Sequence, residues 1–416
     1  MPAGCVAIPL ADVCSILQPH LHALSLMLHP PLPHSQMVHA GINPDPASGA
    51  ILTPIVQSTT FVQDSVETYL DKGYSYSRTA NPTVKVLEDK VALLEHGVGA
   101  SCFATGMAAT ITVMTACLKA GDHCVITDTS YGGTNRAARV MFSNLGITYS
   151  FIDFRDIALV EAAIQPNTKL LFSETPANPT LTLTDVAAVS KLAQDKGLVH
   201  VCDSTFSTPL MCCPLDLGAD MIITSLTKFY DGHNVTVGGA VASATQDWAD
   251  KIKFFQNVLG NIISPPCAFY ILQNVKTMGL RFSQQCATAQ AVAEMLEKHP
   301  KVQIVRYPGL KSFPQKELAD RQHMNGIHGS MVCFEVYGGT DMGRKLMNSV
   351  KRPWSLCENL GATESIITCP AVMTHANMLK EDRLKVGITD GFVRVSCGIE
   401  ETEDLVSVLK EALDFL

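Results

Sequence analysis

Positive charge is missing where a targeting segment would carry it. Neither lysine nor arginine occurs before Lys72, so the opening stretch has no cationic start of the kind a secretory or mitochondrial leader needs. Proline interrupts the uncharged apolar runs before any reaches membrane-spanning length, which leaves no expectation of a membrane partner. The chain also has no stripe of basic residues, and 39 acidic against 31 basic side chains give a formal charge of −8. That balance argues against a nucleic-acid backbone as partner. No C-x-x-C pair occurs among the 14 cysteines, which lie scattered in apolar runs such as those around Cys102, Cys117, Cys124 and Cys333. They read as reduced, buried thiols of a cytoplasmic protein. Adjacent Cys212 and Cys213 cannot by themselves build a tetrahedral site, so no metal is expected. Nor does a G-x-G-x-x-G follow a strand, or a G-x-S-x-G appear, which counts against dinucleotide enzymes and α/β-hydrolases.

What is present suits a soluble globular chain: 416 residues, 47% of them apolar, enough for more than one domain. Residues 1–36 read as a tail and 37–79 as a turn-rich arm of the kind that packs on another subunit. From residue 80 to about 278, short apolar strands alternate with helices, the pattern of a mainly parallel sheet covered on both faces. A long helical pattern from about Asn257 to His299 carries the chain out of that sheet. Residues 279–416 read as a smaller α/β unit with strands at 303–307, 329–336 and 392–396 and a last helix over 403–415.

The stretch Met221-Ile-Ile-Thr-Ser225-Leu-Thr227-Lys228 is an apolar strand running into a turn with two hydroxyls and a lysine. Such a lysine can form a Schiff base while the hydroxyls hold a phosphate, as pyridoxal phosphate requires; a surface lysine closing a strand is the plainer alternative. Upstream, Leu198-Val-His-Val-Cys-Asp203 ends another strand in a carboxylate. An anion there can keep a pyridine ring nitrogen protonated, although helix N-caps also use aspartate. Gly106 and Met107 open a helix whose N–H groups suit a phosphate. Tyr131 at a strand exit can stack on a planar ring or be an ordinary half-buried tyrosine. Arg78 suits a phosphate or is a solvated loop residue, and Asn178 could reach a cofactor's phenolic oxygen. Arg394, alternating with apolar neighbours, is an edge charge or a carboxylate clamp.

Taken together, Tyr76-Ser-Arg78-x-x-Asn-Pro-Thr, Tyr131-Gly-Gly-Thr-Asn-Arg136, Glu174-Thr-Pro-x-Asn178-Pro-Thr, Asp203-x-Thr205-Phe, Ser225-x-Thr227-Lys228 and Pro370-Ala-x-Met-Thr-His375 resemble the cysteine and methionine metabolism family of pyridoxal phosphate enzymes. The resemblance runs from about Val38 to the C-terminus. It implies an aspartate-aminotransferase-like fold and a homotetramer of two close dimers with shared active sites. It also implies that Tyr76 and Arg78 bind the phosphate of a neighbouring subunit's cofactor, together with Gly106, Met107, Ser225 and Thr227. Tyr131 would stack on the ring, Asp203 would pair with its nitrogen with Thr205 and Asn178 beside it, and Lys228 would carry it. Lys228, Tyr131 and Asp203 would be the catalytic set, and Tyr76, Arg136, Asn178, Glu358, Asn359 and Arg394 the substrate contacts, with Arg394 on the α-carboxylate.

The implied activity is α,γ-elimination of cystathionine to cysteine, 2-oxobutanoate and ammonia. The alternatives are γ-replacement on an activated homoserine, or a regulatory protein without catalysis. Family members that act on methionine tend to have cysteine at the position of Gly133 and an apolar residue at that of Glu358. Two departures stand out: Asn234-Val-Thr where the family has Ser-Asp after the Gly-His pair, and Asn359 in place of a serine. The first leaves the cofactor contacts intact. The second falls in the substrate pocket, and implies slower α,γ-elimination.

Overall fold

In the computed structural model, which describes residues 33–373 and 380–416, the strands before residue 244 form one sheet. They are β1 (Gly99–Phe103), β2 (His123–Thr127), β3 (Thr148–Ile152), β4 (Thr168–Glu174), β5 (Val199–Asp203), β6 (Met221–Thr224) and β7 (Gly239–Ser243), in spatial order β1-β7-β6-β5-β4-β2-β3. The pairs from β3 to β6 are parallel, whereas β7 runs antiparallel to both of its neighbours. Every residue of β2, β6 and β7 is buried. Strands with no polar face are what a sheet covered on both sides requires.

The path of the chain creates the site. It steps outward from β2 to β3, then returns to lay β4 on the other edge of β2. Such a reversal opens a crevice at the carboxyl ends of the strands, and Tyr131, Glu174, Asp203 and Ser225 all lie at or just beyond those ends.

A second sheet holds β8 (Val302–Arg306), β9 (Met331–Val336), β10 (Ser355–Leu356), β11 (Ile366–Thr368) and β12 (Phe392–Ser396), ordered β10-β11-β12-β9-β8. β12 is interior, pairing antiparallel with both β9 and β11. Arg394 is therefore not an edge charge. The helix Met278–Glu297 joins the two cores: Met278 and Phe282 pack with the large sheet, and Val292 and Leu296 with the small one.

The single long helical pattern expected from Asn257 is instead three helices, Gln246–Leu259, Pro265–Asn274 and Met278–Glu297. Gly260, at φ 71°, ends the first in the left-handed conformation that glycine adopts most readily. Ser264 caps the second by accepting from Cys267 N, and Pro265 takes its first position. The helices Lys316–Gln322 and Gly339–Ser349 have no counterpart in the sequence reading. The second buries Gly343, Leu346 and Met347 on one face.

The tail falls mostly outside the described residues, but Pro33–His39 is a helix. Met37 is buried and its carbonyl accepts from Lys90 Nζ at 2.8 Å. The arm that follows carries no named strand or helix up to Pro82. Within it Val62 and Val66 are 85% and 87% exposed.

Candidate active site

A cavity of about 430 Å³ opens at the carboxyl ends of the parallel strands. It is lined by Gly106, Met107, Tyr131, Arg136, Asn178, Asp203, Thr205, Ser225, Thr227, Lys228, Glu358, Asn359 and Arg394. Thirteen expected residues thus converge from positions spread over almost 300 residues of chain. A larger cavity of about 550 Å³, between Asp128, Arg155, Arg306 and Lys385, holds none of them.

One end of the cavity presents groups that suit an anion. The helix Gly106–Cys117 starts there, and its cap Thr105 accepts from Ala108 N at 2.9 Å, leaving the first N–H groups to face the cavity. Close approach favours glycine at Gly106 and demands it at Gly239. A Cβ on Gly106 would lie 3.1 Å from Ser225 Oγ, and one on Gly239 would lie 2.3 Å from Thr105 O. Ser225 N donates to Thr205 Oγ1 at 2.9 Å, which fixes the hydroxyl-bearing turn. Thr227 is more engaged than its expected role suggests, since its hydroxyl donates to Gly238 O at 3.1 Å and accepts from Gly238 N at 3.0 Å.

The other end holds two buried carboxyls at the same level of adjacent strands, Glu174 and Asp203, which are register partners. Asp203 Oδ1 accepts from Thr205 N at 3.0 Å and from Thr205 Oγ1 at 2.6 Å. Burial raises the Asp203 carboxyl, opposed by these Thr205 bonds. Burial, followed by the charge of Asp203, holds Glu174 well above the usual carboxylate range. A protonated ring nitrogen beside Asp203 would offset that cost. Glu174 went unremarked in the sequence beyond its place in a motif, yet it organises two loops. Its Oε2 accepts from Tyr131 N at 2.7 Å and its Oε1 from Asn178 N at 2.8 Å. An acid ending β4 opposite Asp203 is the signal that could have marked it.

Lys228 is held by the turn that follows it. Asp231 is fully buried and accepts from the N–H groups of His233, Val235 and Thr236, the Thr236 hydroxyl and Asn274 Nδ2. Arg281 donates to Phe229 O at 3.0 Å and packs so closely under Gly232 that a Cβ there would lie 1.9 Å from its Nη1. Burial first, then the charge of Arg394, lowers the Lys228 amine to about 8. Its Nζ donates to Asn359 Oδ1 at 2.5 Å. Asn359 Nδ2 in turn donates to Asn234 Oδ1. The two departures from the family pattern, 125 residues apart, are thus in contact.

Arg394 is 5% exposed, and donates to Asn178 Oδ1 at 2.7 Å and to the carbonyl of Asn359 at 3.1 Å. Tyr131 is 46% exposed over the cavity. A Cβ on Gly133 would come within 2.5 Å of both the Tyr131 ring and Met107 Sδ, so this ring position requires glycine at that point. Tyr76 and Arg78 do not line the cavity of their own chain. Arg78 lies over the Tyr76 ring at 5.6 Å and donates to Asn257 Oδ1 at 3.2 Å. Of the motif 370–375, residues 374 and 375 lie outside the described residues. The described cysteines are all free thiols, and Cys357 alone among them is exposed. His96, Cys213 and Asp216 bring potential ligand atoms within 4.8 Å of one another, but His96 Nδ1 pairs directly with Asp216 at 2.7 Å and the Cys213 thiol is directed at Pro209 O.

The arrangement suits pyridoxal phosphate at each of its ends: bare N–H groups and hydroxyls for phosphate, a buried acid for the ring nitrogen, and a lysine between. Comparison with known proteins agrees. Residues 34–414 match the family model described as Cys/Met metabolism PLP-dependent enzyme. The chain is 40% identical to a cystathionine beta-lyase of Coxiella burnetii over 381 residues, 91% of this chain and 97% of the other. It is 40% identical to a cystathionine gamma-lyase of Bacillus subtilis over 378 residues, 91% and 98% of the two chains. Relatives of similar identity are named L-methionine gamma-lyase and cystathionine gamma-synthase. The crystal structure of cystathionine gamma-lyase from Lactobacillus plantarum complexed with L-serine superposes with a TM-score of 0.88 at 36% identity, covering 92% of this chain and 98% of that one. The chain is a fold type I, pyridoxal 5′-phosphate-dependent member of the Cys/Met metabolism enzyme family.

Proposed function

We propose that the protein is a C–S lyase that splits cystathionine, with water, into cysteine, 2-oxobutanoate and ammonia. One observation carries this reading: the cavity is framed by Arg394, buried in β12, and by Glu358, exposed at its rim. Cystathionine has an amino-acid group at each end. Arg394 suits the carboxylate beside the reacting carbon, and Glu358 suits the ammonium at the far end. Methionine offers nothing to that acid, and the cysteine associated with its cleavage would, at Gly133, have to displace the Tyr131 ring and Met107.

Bound pyridoxal phosphate supplies an electron sink that acidifies the carbon next to the substrate's amino group. The chain's residues do the rest. Lys228 is the cofactor's anchor and the base, and with its amine near 8 it is partly neutral at physiological pH and able to take the Cα proton. Asp203 keeps the ring nitrogen protonated. Tyr131, over the cavity, gives a proton to the departing sulfur. Tyr76 and Arg78 complete the phosphate site of a neighbouring copy, which accounts for their distance from the cavity of their own chain and for the exposed Val62 and Val66 on the arm.

Incubation with cystathionine alone, followed by assay of 2-oxo acids and thiols, tests the proposal. Equal amounts of 2-oxobutanoate and cysteine are expected. Pyruvate with homocysteine would mean β-elimination, and turnover only when an activated homoserine and cysteine are both supplied would mean γ-replacement.

A further inference from the structure

A line of hydrogen bonds runs from the surface to Lys228, and its direction is fixed at every step. At the outer end Glu364 Oε2 accepts from Asn234 Nδ2 at 2.8 Å. A carboxylate can only accept, so Asn234 must turn its amide nitrogen outward and its oxygen inward. That oxygen accepts from Asn359 Nδ2. Asn359 must then present Oδ1 to Lys228, whose Nζ donates to it at 2.5 Å. Facing a neutral amine, an asparagine alone in this place could offer either end of its amide, whereas an ammonium meets only its oxygen, so the outer bonds reinforce the polarity that favours the charged lysine. Asn234 also holds φ at +56°, a left-handed conformation that asparagine tolerates better than most residues.

We propose that Asn234 is a positioning residue for Lys228: it acts through Asn359, and Glu364 sets the polarity of both amides. The proposal rests on the reading of Lys228 as the cofactor lysine. It explains why Asn stands at both departures, since a serine at either position would break the line. It also gives Glu364, exposed and not among the residues that line the cavity, a role in the state of the Lys228 amine.

Reversing the polarity is the sharpest test. Glu364→Lys offers only donors, so it turns Asn234 Oδ1 outward and Nδ2 inward. Asn359 then shows Lys228 a nitrogen, which disfavours the ammonium. Asn234→Gly removes the side chain while keeping the left-handed backbone, and Asn234→Asp paired with Glu364→Gln keeps the inward acceptor, with an amide donor facing the new carboxylate, as the conservative rescue.

Two readouts apply. The first is the pH at which cofactor-free enzyme takes up pyridoxal phosphate at half its maximal rate, followed by visible absorbance. The second is kcat against KM with cystathionine. Tyr131, Arg136, Glu174, Asp203, Glu358 and Arg394 share the cavity with Lys228 and are unchanged in these variants. Loss of one hydrogen bond to a charged group corresponds to about tenfold. Glu364→Lys and Asn234→Gly should therefore lower the uptake midpoint by roughly one pH unit and kcat by on the order of tenfold, with KM little changed. The Asn234→Asp, Glu364→Gln pair should restore both. In an Asn359→Ser background neither substitution should have further effect, because the route is cut.

Unaltered midpoints in Glu364→Lys and Asn234→Gly overturn the proposal. So do effects that persist in full in the Asn359→Ser background. Should Asn234→Gly not fold, Glu364→Lys, a surface change, decides alone. Visible absorbance retained in Lys228→Ala would instead refute the reading of Lys228 itself, and the two failures are distinguishable.

Discussion

Replacing Glu95 by glutamine should stabilise the protein above neutral pH and leave it unchanged near pH 4.5. Glu95 follows the helix Pro82–Leu94 and is 1% exposed. Its Oε1 accepts from Tyr230 Oη at 2.7 Å, whereas Oε2 has no hydrogen bond among the described residues. Burial pushes the carboxyl from 4.5 up to about 7, and the Tyr230 bond only partly opposes the shift. An acid whose folded pKa is raised keeps its proton in the folded protein up to about 7, and below about 4.5 folded and unfolded states are both neutral and no stability is lost. Between about 4.5 and about 7 stability falls as pH rises, and above about 7 the loss is complete. The difference of about 2.5 units corresponds to about 3 kcal/mol. At about 2.1 cal/mol/K of unfolding entropy per residue, the 416 residues turn this into on the order of 4 °C in melting temperature. Glutamine keeps an acceptor for Tyr230 and cannot ionise. Melting curves of both proteins at pH 5 and pH 8, with cofactor in excess, should be similar at pH 5 and separate at pH 8 in favour of the variant. Parallel pH dependence in the two proteins would refute the reasoning.

Much of the site was legible because its chemistry demands uncommon residues at strand ends. A lysine after two hydroxyls and an aspartate ending the previous strand are visible as types and spacings, and the cavity brings both together. Helix and strand order was legible for a related reason: strands buried on both faces read as unbroken apolar runs. Where the pattern misled, the cause was local. The run from about Asn257 to His299 reads as one helical pattern, but the backbone requirements of Gly260 and Pro265 divide it, and a tighter turn over Val275–Thr277 divides it again.

What sequence could not supply was pairing across long separations. Glu174 reads as one more acid until its two oxygens are seen to hold the backbones of Tyr131 and Asn178. Asn234 and Asn359 read as unrelated departures, one near the lysine and one in the substrate loop. Their hydrogen bond crosses between the turn after β6 and the loop after β10, a contact that no periodicity encodes. Arg394 was ambiguous for the same reason, because interior and edge strands share one alternation until sheet order is known.

Four further outcomes are expected. Lys228→Ala should fold, lose the visible absorbance of lysine-bound cofactor and lose turnover by orders of magnitude, because one residue is both anchor and base; borohydride fixing the cofactor to a different lysine in the wild type would contradict this. Asp203→Asn should keep cofactor and lose most turnover, since an amide cannot hold the ring nitrogen protonated; wild-type turnover would remove Asp203 from that role. Mixing inactive Arg78→Ala and Lys228→Ala subunits should return activity to about a quarter of the sites if the sites are shared between copies, and verified mixed dimers without activity would count against sharing. Gly239→Ala tests the anion cradle, because its Cβ would lie 2.3 Å from Thr105 O and 2.7 Å from Gly106 Cα, both backbone atoms at the start of the Gly106–Cys117 helix. Neither can rotate away, so β7 and the helix terminus must separate, at about 1–3 kcal/mol of overpacking. The bare N–H groups then move relative to Ser225, and weaker binding of pyridoxal phosphate should accompany the lower melting temperature. The wild-type protein is the control. If Gly239→Ala loses stability but binds cofactor as tightly as the control, the close approach of β7 serves packing alone and the phosphate is held elsewhere.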